Sequence, residues 1–259
     1  MKRRIFTTSA PTVVMTVALL AAACSAPENV PAPAPARTTG WITAPMVQGV
    51  ERTSGGLVVT GLATPMGRVV LRGAGETAYA TGATAQGRFQ LRVQPPAADT
   101  LFVIEATDGQ NVSPAPWSLL APHDPGAPVA LLAAGAATRR LDRAGALDVI
   151  DSDGHAVIAS GRAPAGTVIP VSIGGREPVP ARTGADGRWS VVLDAGAATA
   201  GEIVVGETRY AWPGPGNAAS GVGLVLQPAP GGWMLARDLS PRSRQVSWFP
   251  NAGWRFTPA

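Results

Sequence analysis

The chain is poor in the residues that most chemistry requires. Its 259 residues include one cysteine and two histidines. One thiol excludes an intrachain disulfide framework, and two histidines leave little material for metal or acid–base sites. Only 15% of residues are charged, which excludes an extended coiled coil and a highly charged disordered tail. No stretch of about 18 apolar residues follows the first segment, so the sequence offers no conventional membrane-spanning helix. What it has in quantity is 31 glycines and 25 prolines, with 46% hydrophobic residues. That density of breakers disfavours long helices, while the apolar content is ample for a core. A folded chain of short elements remains.

The first segment reads as a processing signal. Lys2, Arg3 and Arg4 precede a mostly apolar run from Val13 to Leu20, and Ala21, Ala22 and Ala23 lead into Cys24. Leu20-Ala21-Ala22-Ala23-Cys24 resembles the lipobox of bacterial lipoproteins, although the leucine stands one place earlier than usual. The resemblance implies that Cys24 is diacylated and becomes the first residue after cleavage. Several acyl chains anchor stably where one binds only marginally. The alternative is a soluble exported protein with an incidental cysteine. In a Gram-negative host, Ser25 after the cysteine implies an outer-membrane address.

Loss of residues 1–23 removes three cations and lowers the formal charge from +4 to +1. The mature chain has no lysine, and its arginines are scattered apart from Arg139-Arg140 and the Arg242/Arg244 pair. These groupings read as solvated faces. Nucleic-acid binding, which needs a concentrated positive footprint, is set aside.

Residues 24–45 read as a tether. Pro27, Pro31, Pro33 and Pro35, the last three separated by single alanines, favour extended polyproline II. At roughly 3.1 Å per residue, the Pro-rich part of the tether, residues 25–40, reaches about 50 Å.

Beyond the tether the sequence repeats with an offset of about 100. Leu57-Val58-Val59-Thr60-Gly61 corresponds to Val157-Ile158-Ala159-Ser160-Gly161, and Gly87-Arg88-Phe89 corresponds to Gly187-Arg188-Trp189. Within each copy the period is two. Phe89, Leu91 and Val93 alternate with Arg88, Gln90 and Arg92, which predicts half-buried strands with Arg88, and likewise Arg188, in water. Gly87 and Gly187 follow turn residues and are expected at positive φ. Short strands with frequent turn signals predict an all-β chain of two tandem immunoglobulin-like β-sandwiches, after the signal peptide and tether. The first sandwich is expected at 46–133, a linker at 134–145, and the second sandwich at 146–259, ending in a Trp-rich hairpin.

The ordered features resemble bacterial immunoglobulin-like and carboxypeptidase-regulatory-like modules over residues 46–133 and 146–227. Such modules serve as spacers, adhesive units or accessory domains, so the resemblance implies a structural or interaction role without catalysis. Trp233, Trp248 and Trp254 lie in the C-terminal extension. Two readings stand for them: Trp233 and Trp248 close the second core, or the tryptophans form a binding surface, with Trp254 its most exposed member.

Other signals are weak. His123 and His155 occupy turn-like contexts, and neither a G-x-S-x-G elbow, a Walker loop nor an H-E-x-x-H motif occurs. Asp148, Asp151 and Asp153 form an acidic cluster with the oxygen chemistry of a Ca²⁺ site, but their spacing is not that of a D-x-D-x-D-G loop. Asp153-Gly154 reads as a hairpin turn. The sequence is therefore read as a non-catalytic envelope protein without metal or cofactor, anchored to a membrane through its N-terminal lipid. It is expected to meet an envelope protein through strand edges, loops or the Trp-rich end. The competing expectation is a glycan-binding module.

Overall fold

The computed structural model describes residues 42–142, 145–193, 200–218, 222–241 and 243–251. Cys24, the tether up to residue 41 and Trp254 lie outside these residues.

The all-β expectation holds, and the first repeat begins with β1 (Met46–Thr53), β2 (Gly56–Leu62), β3 (Arg68–Arg72), β4 (Ala78–Gly82) and β5 (Arg88–Val93). It continues through β6 (Thr100–Asp108), β7 (Asn111–Ala121), β8 (Ala130–Leu132) and β9 (Arg139–Arg140). These strands make a three-stranded sheet, β1-β2-β5, and a six-stranded sheet, β4-β3-β6-β7-β8-β9. Alternate side chains from both enclose a core: Leu57 and Val59, with Phe89 and Leu91, meet Leu71, Phe102, Ile104 and Leu119.

The second repeat comprises β10 (Leu147–Ser152), β11 (Val157–Arg162), β12 (Val168–Ile173), β13 (Val179–Arg182), β14 (Arg188–Leu193), β15 (Gly201–Val205) and β16 (Thr208–Trp212). The extension adds β17 (Leu224–Ala229), β18 (Gly232–Ser240) and β19 (Ser243–Pro250). Here the sheets are β14-β11-β10-β19-β18-β17 and β13-β12-β15-β16. Their core contains Leu147, Ile150, Trp189, Met234 and Trp248 on one side and Val171, Ile203, Tyr210 and Trp212 on the other.

The repeat extends to atomic detail. Gly61 pairs with Phe89 across β2 and β5, as Gly161 pairs with Trp189 across β11 and β14. Both first hairpins shift register at the same place, between Val47 and Gly49 and between Leu147 and Val149. Gly87 and Gly187 have φ of 75° and 73°, and the carbonyl of each accepts from a corresponding amide, that of Ala63 or Ala163. A side chain at these turn positions would strain the backbone.

The two sandwiches are not separate beads. Leu120, Ala130 and Leu132 point away from the first core and pack against Val149, Leu235 and Phe249, which point away from the second. Because successive strand residues face opposite sides, the adjacent pairs Leu119-Leu120, Met234-Leu235 and Trp248-Phe249 each feed two layers. Four sheets thus stack with three apolar interiors.

Residues 133–142 run between the sandwiches and are tied to the second. Arg237 Nη2 donates to Ala133 O at 2.8 Å, Arg140 Nη1 donates to Pro250 O, and Ser160 Oγ donates to Thr138 O at 3.1 Å.

Candidate functional site

The sequence-derived surface tryptophans do not form one surface. Trp248 is 0% exposed in the second core, where its Nε1 donates to Pro230 O at 3.2 Å, so it is removed from the set of binding residues. Trp233 is half-buried on the opposite face of its sheet, packed against the apolar joint. It therefore does not close the second core. Trp254 is outside the described residues.

The three aspartates also part company. Asp153 makes a turn, accepting from the amides of His155 and Ala156 at 2.9 and 2.8 Å, and these bonds hold its carboxyl below the usual range. Asp151 is buried among Thr138, Gln245 and Ser247. Asp148 lies elsewhere on the same strand and meets arginines. Among the described residues no group of three or more His, Cys, Asp or Glu is placed to hold a metal ion. His123 Nδ1 contacts Pro96 O at 2.9 Å, and its amide donates to Asp99.

What the fold does bring together is a cleft of about 420 Å³ at the joint. One wall comes from the first repeat: Trp117 on β7, residues Ala136 to Thr138, and Arg139 on β9. The other comes from the second: Asp148 on β10, Ser160 and Gly161 on β11, Arg182 on β13, and Arg188, Trp189 and Ser190 on β14. The Arg139 guanidinium carbon stands 4.6 Å from the centre of the Trp117 ring, a cation–π arrangement.

Arg188 is not in water as its strand alternation suggests. Its Nη1 reaches Asp148 Oδ2 at 3.2 Å, and its Nη2 donates to Arg140 O at 3.0 Å. The residue is outward-facing, but the neighbouring repeat covers that outward face. The grouping Arg139-Arg140 is likewise no solvated face. Arg140 is buried and paired with Asp142 at 2.9 Å.

Arg162 and Arg188 sit directly opposite each other on β11 and β14, a repulsive pairing of like charges without an intervening anion. Asp148 supplies that anion, accepting from Arg162 Nε at 2.9 Å with the same oxygen. Burial raises the pKa of Asp148, chiefly against the attraction of Arg162. Burial also lowers the pKa of Arg188, and Arg162 adds to that. Asp148 Oδ1 and Trp189 Nε1 are buried without a hydrogen-bond partner. The cleft thus has an idle carboxylate oxygen beneath its floor and cations around it, while the idle Trp189 donor belongs to the second core.

Trp117, Arg182 and Ser190 carry no sequence signal of a shared site. The arginine pair follows from the strand register: with Gly161 opposite Trp189, Arg162 faces Arg188, and a nearby carboxylate relieves their repulsion. No protein-family model matches the chain, and comparison with curated proteins finds no match.

Proposed function

We propose that this chain is a non-catalytic, lipid-anchored protein of the bacterial envelope whose two β-sandwiches present an interaction surface away from the membrane. The observation that carries the reading is the joint. Leu120, Leu132, Leu235 and Phe249 weld two repeats into one body, which suits a protein that displays surfaces at a fixed geometry. The histidines are consistent with the same reading, since His123 and His155 sit in exposed turns and neither lines the cleft. The anchor is Cys24, on the lipobox resemblance of residues 20–24.

Cys24→Ser tests the anchor by fractionation. The variant should move from the membrane fraction to the soluble exported fraction, and continued sedimentation with membranes would overturn the assignment. Cross-linking on intact cells tests the contact role: a protein partner captured by the anchored chain and lost with Cys24→Ser is the expected result.

A second reading, glycan binding, is favoured by the cleft. Its polar lining and its aromatic wall at Trp117 suit a polyol better than an apolar ligand.

A further inference from the structure

We infer that the cleft at the joint binds a carboxylated sugar, a uronic-acid residue of an acidic polysaccharide. This rests on the glycan reading above and specifies its site and ligand. The volume of about 420 Å³ lies within the roughly 300–1,000 Å³ typical of small-molecule sites. The lining includes Arg139, Arg182 and Arg188 against Asp148 and Asp186.

One oxygen of each carboxylate is already engaged. Asp148 Oδ2 takes Arg162 and Arg188, and Asp186 Oδ1 folds back to accept the Arg188 amide at 3.2 Å. Arg139 and Arg182 have no carboxylate partner among the described residues. Arg139 is held on the Trp117 ring, so its planar fork is fixed before a ligand arrives. Two unpaired guanidinium groups facing one cleft are suited to a carboxylate, which guanidinium binds through paired hydrogen bonds.

The lining separates a sugar acid from a bare anion. Asp148 Oδ1, as carboxylate, can only accept, so it favours a ligand that brings a hydroxyl donor over a fully ionised anion. Ser190 adds an exposed hydroxyl to the same cavity, and Trp117 offers an aromatic face to a sugar ring. The corresponding face of the first repeat, at Thr60 and Gln90, is exposed, because no neighbouring segment covers it. The site is therefore a product of docking and belongs to one copy.

The test is calorimetric and ligand-observed NMR titration of the full mature chain with glucuronate and a short polyglucuronate, with glucose and inorganic phosphate as controls. Binding of the uronates in low salt is expected, weakened at least tenfold by Arg182→Gln. Arg182 is exposed, so this variant should keep the wild-type melting temperature. Arg139→Gln and Trp117→Phe should weaken binding in the same direction. Phosphate binding as tightly as glucuronate, or uronate binding indifferent to both arginine variants, would overturn the inference. If glucose or a neutral oligosaccharide binds equally well, the acidic ligand is wrong while the glycan reading survives. If no saccharide binds, both fall.

Discussion

Asp151 is enclosed by four donors that carry no formal charge. Its Oδ2 accepts the Thr138 amide at 2.6 Å, and its Oδ1 accepts from Thr138 Oγ1, Gln245 Nε2 and Ser247 Oγ. Gln245 is oriented in turn by Arg237, whose Nη2 donates to Gln245 Oε1 at 2.7 Å. Burial pushes the carboxyl above its ordinary 3.8, against these hydrogen bonds. The folded chain therefore holds this proton more tightly than the unfolded chain does. The associated stability is fully present below 3.8 and is lost as pH rises through the raised folded value. Asp151→Asn removes the titration and leaves a donor facing either the Thr138 amide or Gln245 Nε2, whichever way the amide is turned. At pH 4.5 the variant should be less stable by about 1–3 kcal/mol, the cost of an unsatisfied buried donor. Urea denaturation should show that deficit shrinking toward pH 7. A deficit that grows with pH would mean that Asp151 is stabilised as the carboxylate.

At the scale of the strand, the glycine opposite each core aromatic governs packing. A methyl group on Gly61 would overlap the Met46 carbonyl oxygen and lie 2.7 Å from the Phe89 ring, and one on Gly161 would overlap the Ala146 carbonyl oxygen and lie 2.7 Å from the Trp189 ring. Each aromatic lies over a missing side chain. Gly161→Ala should cost at least about 1–3 kcal/mol, because the methyl meets strand backbone as well as the ring and no rotamer change relieves it. Gly82→Ala, where a methyl meets nothing within 4 Å, should be neutral or stabilising by roughly 0.4–1 kcal/mol. Equal urea midpoints for the two variants would contradict this account. The period-two strands and the positive-φ turn glycines were legible in the sequence, because alternation and turn chemistry are local; the pairing of glycine with aromatic across the strands came from the register. The covering of the outer faces was not legible. Alternation assigns Arg188 to the outside of its sandwich, yet it cannot say what lies beyond. Glu51 and Asp151 occupy matching hairpin positions, opposite Val58 and Ile158. The first is exposed and the second buried, a difference made by the neighbouring repeat. The signal that could have revealed the joint was the run of adjacent apolar residues in β7, β8, β18 and β19, too continuous for strands wetted on one face.

For the whole molecule, the joint decides whether the repeats behave as one body. Interfaces between domains usually permit motion unless they are large and apolar. Here Leu120, Ala130, Leu132, Val149, Leu235 and Phe249 are all nearly or fully buried, and Arg237 and Arg140 add polar ties across the same seam. Leu235→Asp removes an apolar side chain whose burial is worth about 1.5–3 kcal/mol and places a charge where no water reaches. Scanning calorimetry should show one unfolding transition for the wild-type chain and two for Leu235→Asp, since each sandwich retains its own core. Leu132→Asp approaches the same seam from the other repeat and should act alike, which separates undocking from failure of the second sandwich alone. The cleft supplies an independent readout. Trp117 and Arg139 stand on one repeat and Asp148 and Arg182 on the other, so undocking should weaken uronate binding even though Leu235 lines no part of the cavity. A single transition at the wild-type temperature in both aspartate variants would show that the seam contributes nothing to the joint.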